Sequence, residues 1–494
     1  MTLCIIVADG ARPDTLFGAM DAGHLPALAQ LRAEGSAHTV SSVFPSVTGS
    51  AYAPFLLGLH PGRAGIPGLR WFDRARSATK WPAYSRSYVG AGAVRADSDL
   101  TREYRTLFEH EPRSLGAFTY IGRGLSDARR VGTGWIPFGA KMAWTHFRGD
   151  LESWLRFDRW IGEESIARIR AQRPRVAFIA HPGIDKHSHR FGAAHPVVLE
   201  SMRTVDSTVA QLRASFASDG RAQELEIWVV SDHGHADLHR HEDLAGVIAS
   251  WGHSVRAHPW VVGGHDVAVM VSGNAMAHLY LELSRTVRPG WEALRARWTP
   301  MLTQLLARES VDLAVVPIAP GVCEVFGRGR GHARVSVADD QSAQHPHQRV
   351  EHPHQSAQHP HRSVTADRIS YHRISGDPLQ LGMDLESLTA TESWEATIHS
   401  EYPDALVQLI AISDAPRAGD IILSASPGWD LRTRWEPIVH VSGHGALHRE
   451  QMLVPLIMSR APSVKPRRTT DVFPSALAAL GLPVPTGLDG VSFR

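Results

Sequence analysis

Six strand-length runs are apolar nearly throughout: LCIIVA (3–8), RVAFIA (175–180), EIWVV (226–230), ALVQLIAI (405–412), DIILSAS (420–426) and MLVPLIM (452–458). Alternation with polar residues would leave one face to water. Its absence predicts strands buried on both faces, as in a parallel sheet covered by helices. Between the runs lie helical patterns, among them PALAQLRAEG (26–35), which closes on a glycine suited to a C-cap, and VVLESMRTVDSTVAQLRASF (197–216). Strands alternating with helices predict a doubly wound α/β core built on a mostly parallel sheet.

At 494 residues the chain exceeds what one core usually holds, so an elaborated insertion or a second domain is expected. Two regions break the rhythm. Residues 73–150 are rich in Arg, Gly, Trp and Tyr with weak periodicity, and the stretch from about 255 to 390 carries its own strand pair and helix. The expected organisation is an α/β core over 1–255 and 391–494 with an inserted cap subdomain over 256–390. Within the cap, QSAQHPHQRVEHPHQSAQHPHR (341–362) repeats QSAQHPH at a spacing of fourteen residues. Its prolines favour an extended, mobile loop, to which six histidines add adventitious metal affinity.

Charges nearly cancel, 51 Lys plus Arg against 50 Asp plus Glu, and without a long basic block no nucleic-acid partner is expected. Cys4 and Cys323 are the only cysteines; Cys4, inside LCIIVA, reads as a packing thiol. The N-terminal MTLCIIVADGARPD lacks a basic segment and meets Asp9 after a short apolar run, so it reads as a first strand and not a signal peptide. No stretch approaches the ~18 apolar residues of a membrane span. A cytoplasmic location and a small-molecule substrate are the expectation; the sequence sets no oligomeric state.

Chemistry-bearing residues sit just beyond strand-like runs: Asp9 in VADGARPD, Asp185 and His189 in HPGIDKHSHRFG, Asp232 and His233 in VVSDHGH, and His444 in VSGHGALH. In an open parallel sheet the carboxyl ends of strands share one edge, where such residues converge. Carboxylates and imidazoles are ligands for Zn²⁺ and related ions. Three of each suffice for two sites, and an ion pair about 4 Å apart stabilises the attacking and leaving oxygens of an in-line displacement. FPSVTGSAY (44–52) places Thr48 before an apolar run, where a threonine serves as a helix N-cap or, beside such ions, as a nucleophile. His187, His235, His239, His241 and His448 are candidates to orient ligands or shuttle protons. Trp71, Lys141, Trp144 and Arg148 are candidates to line a pocket or pack a small core.

The order Asp9, PSVT with LGLHPGRAGI, D-x-x-x-H, SDHG, GHG and finally TTDVFPSALAALGLPVPTGLDGVSF resembles the alkaline phosphatase superfamily, in its nucleotide pyrophosphatase/phosphodiesterase branch. The resemblance covers about 1–72, 175–240 and 440–494. It implies that Thr48 is the nucleophile, that Asp185, His189 and His444 hold one zinc, and that Asp9, Asp232 and His233 hold the other beside Thr48, with Mn²⁺ as the alternative metal. The implied activity is a two-metal phosphodiesterase or pyrophosphatase working through a phosphothreonine, with the Gly49 N–H aiding a phosphoryl oxygen. One position departs from the family. Its branch commonly places an asparagine after the glycine-isoleucine pair, whereas GIPGLRWFD has Leu69 there and Arg70 beside it. Arg70 as a bidentate clamp would favour a monoester, so a phosphomonoesterase or phosphomutase is the alternative. A sulfatase is disfavoured because SVTGSAY lacks that branch's nucleophile pattern. A metal-storage protein centred on the HPH units is the alternative of another class.

Overall fold

The computed structural model describes residues 1–77, 85–132, 151–257, 266–338, 368–432 and 439–494. The HPH repeats and Lys141, Trp144 and Arg148 lie outside the described residues. Five of the six apolar runs contribute strands to two large sheets. The first sheet has seven strands in the order Ser36–Ser41, Leu453–Met458, Leu225–Val230, Thr2–Ala8, Val176–His181, Ser114–Ala117 and Arg130–Val131. Thr2–Ala8 is central and parallel to both neighbours, with Val7 beside Val230 on one side and Ala180 on the other. Every residue of Thr2–Ala8 is buried, as continuous apolarity requires. One face packs against the helices Leu151–Gln172 and Pro196–Ser218, the other against Ala53–Leu57 and Val472–Ala479. Leu453–Met458 runs antiparallel to Leu225–Val230, so the sheet is mostly but not wholly parallel.

The second sheet has nine strands, and all its pairings but the one between Val255–Arg256 and Val267–Ser272 are antiparallel. Ile421–Ala425, read from sequence as a strand of the parallel core, lies here between Met276–Leu281 and Val311–Ala319. This sheet therefore draws on the chain both before and after residue 390.

ALVQLIAI was expected to be a strand and is instead the helix Ala405–Ser413, buried along its whole length. Apolarity on every side fits a fully enclosed helix as well as a buried strand. The polar residues decide the matter. Gln408 Nε2 donates to Asp404 Oδ2 at 2.8 Å, a contact between residues four apart that a helix provides and a strand, at about 13 Å, does not. The same amide accepts from the Phe44 N–H at 2.8 Å, tying this helix to the segment that leads to Thr48. Cys4 and Cys323 are buried and unpaired, and burial pushes both thiols up to about 12. No helix among the described residues is long and apolar enough to cross a membrane.

Candidate metal centre

Three adjacent parallel strands, Leu225–Val230, Thr2–Ala8 and Val176–His181, end at one edge, and the predicted ligands stand on segments just beyond it. Asp9 comes directly after Ala8. Asp185 and His189 lie one turn apart on the helix Gly183–Phe191, a spacing that puts both on one face. Asp232, His233 and His235 come from the turn after Val230, and His444 adjoins Ser442–Gly443, which pairs with Ala236–His241.

The side chains gather into two groups. In the first, Asp185, His189, His235 and His444 bring one ligand atom each within 4.8 Å of one another; in the second, Asp9, Asp232 and His233 do the same. All seven are buried. The groups meet where the His233 and His444 rings stack, centroids 3.7 Å apart. All six sequence-predicted ligands are thus brought together. His235, considered from sequence only as a possible orienter, joins them.

Hydrogen bonds aim the imidazoles. Nδ1 of His189 donates to Ser442 O at 2.8 Å, that of His444 to Ser46 O at 2.9 Å and that of His233 to Gly234 O at 3.0 Å. A carbonyl only accepts, so each neutral ring carries its proton on Nδ1 and turns the Nε2 lone pair inward. Those lone pairs face carboxylates: His189 and His444 Nε2 lie 3.2 and 3.5 Å from Asp185 Oδ1, and His233 Nε2 lies 3.3 Å from Asp9 Oδ1. Acceptor facing acceptor is unfavourable until a cation or a proton stands between them. Asp232 Oδ2, buried, has no hydrogen-bond partner among the described residues. The donor set and its unmet acceptors fit divalent metal ions.

Electrostatics tell the same story. Burial, then repulsion from Asp232 and Asp185, holds the Asp9 carboxyl well above its ordinary pKa, and burial with repulsion from Asp185 raises Asp232 to about 7. Burial opposes the charge of Asp185 too, but the Lys186 ammonium, and N–H donation from His189 and His235 where no ion takes their Nε2, outweigh it and keep that group well below the usual range. Burial lowers His233 to about 4 and His235 to about 3, leaving both as neutral, ligand-competent rings.

Thr48 is half-buried at the second group, its Oγ1 2.8 Å from His233 Nε2 and 3.2 Å from Asp9 Oδ1. It does not cap the next helix, contrary to one of its two expected roles. Gly49 intervenes with φ 90°, and a 3₁₀ turn over Ser50–Tyr52 precedes Ala53–Leu57 without a side-chain cap. The backbone turn at Gly49, which favours glycine, points the threonine hydroxyl at the ligands instead. Arg70 is buried on the short strand Arg70–Phe72, with Nη1 donating to Val271 O and its N–H to Ser272 Oγ. Trp71 beside it is core, its Nε1 bonded to the Tyr88 hydroxyl at 3.1 Å.

The other histidines divide. His187 bonds Gly183 O and Ser201 Oγ behind the helix, His241 lies 3.3 Å from Asp430, His448 lies 3.0 Å from Glu401, and His239 is exposed. Sequence reasoning missed His440, whose ring centroid is 4.2 Å from that of His189 and whose Nδ1 is 2.8 Å from Asn274 Nδ2. Its spacing of four from His444 was the available signal. Lys186 was also missed, although it adjoins Asp185; its Nζ donates to Asp185 Oδ2 at 2.7 Å.

Comparison with known proteins bears on the fold and the family. No curated protein matches the sequence significantly. Among solved structures, phosphonoacetate hydrolase from Sinorhizobium meliloti, in complex with phosphonoacetate, aligns over 97% of this chain and 95% of its own at 15% identity and a TM-score of 0.55. Human ectonucleotide pyrophosphatase/phosphodiesterase 5 aligns over 100% and 98% at 14% identity and the same TM-score. An inactive form of the murine protein, in complex with AMP, aligns over 98% and 96% at 13% identity with a TM-score of 0.52. These likenesses establish the fold. A family model described as type I phosphodiesterase / nucleotide pyrophosphatase matches residues 3–447, a span that takes in Asp9, Thr48, both metal groups and the second sheet, and so the chain belongs to that family of metal-dependent hydrolases on the alkaline phosphatase core.

Proposed function

We propose that the protein hydrolyses a phosphodiester or pyrophosphate bond of a small molecule through a phosphothreonine at Thr48. Two divalent ions, zinc or manganese, serve it: one held by Asp185, His189 and His444 with His235 beside them, the other by Asp9, Asp232 and His233 next to Thr48. The observation that carries this reading is the placement of Thr48 Oγ1, whose single hydrogen faces two acceptors, His233 Nε2 and Asp9 Oδ1. Ions bound at the two groups would withdraw charge from the threonine oxygen and from the phosphoryl group, which an unassisted hydroxyl needs in order to attack.

The chain's own residues do the rest. A carboxylate oxygen of Asp9 accepts the hydroxyl proton, since Nε2 of His233 would be engaged as a ligand. Oγ1 bonds to phosphorus in line with the departing oxygen, which leaves with the electron pair of the broken P–O bond. The Gly49 N–H is our candidate donor to a nonbridging oxygen. Water then attacks phosphorus from the opposite side, breaks the Thr48–phosphorus bond and returns the hydroxyl. The phosphonoacetate and AMP held by two structural neighbours support a small anionic phosphorus compound as substrate. The monoester alternative keeps one support in this chain, the leucine at position 69.

Trapping tests this. Acid quench of the metal-loaded protein with labelled substrate should leave phosphate on the peptide containing Thr48. Thr48→Ala should lose several orders of magnitude in turnover with metal content unchanged, and Thr48→Ser should keep measurable activity. A folded, loaded Thr48→Ala protein with near-native turnover would refute the proposal.

A further inference from the structure

The second negative charge of a phosphoryl substrate needs a cation, and position 69 cannot contribute even a polar donor. The Leu69 side chain packs onto the apolar cluster under the first sheet, and Arg70 reaches back to Val271 O. Lys186 stands in a different place. It projects from the helix that carries Asp185 and His189, and its side chain, 27% exposed, has its ammonium on Asp185 Oδ2, the oxygen turned away from His189, His235 and His444. One of three ammonium hydrogens meets that oxygen, leaving two for other acceptors.

The surroundings of Lys186 lead to the nucleophile. The Trp154 ring centroid lies 5.9 Å from Nζ. The Tyr120 ring sits 3.6 Å from where a side chain on Gly49 would begin, directly beside Thr48. Through Asp185 the ammonium adjoins the first group, whose His444 lies 3.5 Å from Asp185 Oδ1 and stacks on the His233 ring that touches Thr48. Asp9, which accepts from Thr48, also feels the Lys186 charge.

We infer that Lys186 is a substrate-binding residue that selects phosphorus compounds carrying a second negative charge at or next to the scissile phosphoryl group, a monoester or a pyrophosphate, over singly charged diesters. This rests on the phosphoryl-transfer reading of Thr48. Lysine acts here as a point charge, and its contact with a phosphoryl oxygen strengthens with the charge on that oxygen. A diester presents one charge to be met; a monoester dianion or a neighbouring phosphate presents more.

The test compares wild type, Lys186→Met and Lys186→Arg, all metal-loaded with metal counted by elemental analysis, on p-nitrophenyl phosphate, ATP and bis(p-nitrophenyl) phosphate. Lys186→Met should lower kcat/KM for a doubly charged substrate by about tenfold to a hundredfold, as a lost charge-assisted hydrogen bond does, and for the diester by much less. Whether p-nitrophenyl phosphate, ATP or both show the loss tells a monoester site from a pyrophosphate site. Lys186→Arg should recover part of it. In a binding readout free of turnover, inorganic phosphate should bind metal-loaded Thr48→Ala protein about tenfold more tightly than the same protein carrying Lys186→Met. Equal losses on all three substrates, or a fall in metal content that accounts for the loss, would overturn the inference and leave Lys186 only holding Asp185. If metal-loaded wild type turned over none of the three, the phosphoryl-transfer reading itself would fail and take this inference with it.

Discussion

The two candidate metal-binding groups are built at the same sheet edge but are balanced differently. The first sets one carboxylate, Asp185, among three imidazoles and places Lys186 on its outer oxygen. The second sets two carboxylates, Asp9 and Asp232, beside one imidazole and a threonine hydroxyl. The consequence is visible in their acidities: Asp185 is held well below the usual carboxylate range, whereas Asp9 is well above it and Asp232 reaches about 7. The first group is near neutrality with cations and dipoles the chain itself supplies; the second carries charge that only protons or a bound cation can offset. A divalent ion should therefore matter most to the folded state at the group that holds the nucleophile.

Removing the metal should have the largest effect. Chelation is expected to abolish turnover, and its effect on stability should depend on pH in a definite sense. The folded pKa of Asp232, about 7, lies above its ordinary 3.8, so in metal-free protein its contribution is fully present below the ordinary value and is lost as pH rises through 7. His233 runs the other way: its folded value of about 4 lies below the ordinary 6.5, so its contribution is present above 6.5 and is lost as pH falls through 4. Between pH 6 and pH 8 the carboxylates dominate. Thermal melts with and without chelator should then differ more at pH 8 than at pH 6. The opposite order would break the contrast between the groups.

Next in size is a pair of substitutions. His233→Ala removes the imidazole that touches Thr48 and is expected to cost about a thousandfold or more in turnover, on the scale of a lost group that acts with the nucleophile. His235→Ala, on the balanced side, should cost about tenfold to a hundredfold in metal affinity or turnover, the range for a group that tunes a ligand. Competition with a chromophoric chelator measures affinity independently of activity. Equal losses for both variants would mean that His235 carries as much of the chemistry as His233.

The smallest effect should come from Ser442→Ala. Its hydroxyl lies 2.9 Å from His235 Nδ1 and donates to Ala236 O at 3.0 Å, while its carbonyl, which the substitution keeps, holds His189. About 1 kcal/mol of stability by denaturant titration, with a loss of turnover below that of His235→Ala, is expected. A larger loss would show that the orientation of His235 counts for as much as its presence.

The fold class and the convergence of the candidate ligands were both legible in the sequence; the strand order and the second sheet were not. Asp9, Asp185, Asp232 and His233 come within a few residues of strand ends, so the local pattern of an apolar run and then a ligand places them at the edge without knowledge of strand order. Even the helix Gly183–Phe191 announces its shared face through the four-residue spacing of Asp185 and His189. The apolar runs themselves were less informative. Ala405–Ser413 and Ile421–Ala425 are both apolar, yet one is a helix and the other belongs to the antiparallel sheet.

What residue order alone determined is the inventory: the candidate ligand types, the candidate threonine, and a core of buried, mostly parallel strands, because each depends on neighbours a few positions away. Tertiary structure decided the assignments that rest on distant partners. Gln408 finds its roles in the Phe44 N–H and the Ser42 carbonyl, His440 reaches His189 across the site, and Tyr120 comes to lie over Gly49. Lys186 stands next to a candidate ligand in the sequence, but that its ammonium lies on Asp185 with the Trp154 ring 5.9 Å away is visible only in the folded chain. A side chain's type is local information. Its charge environment is the sum of fields from groups that only folding brings within a few ångströms.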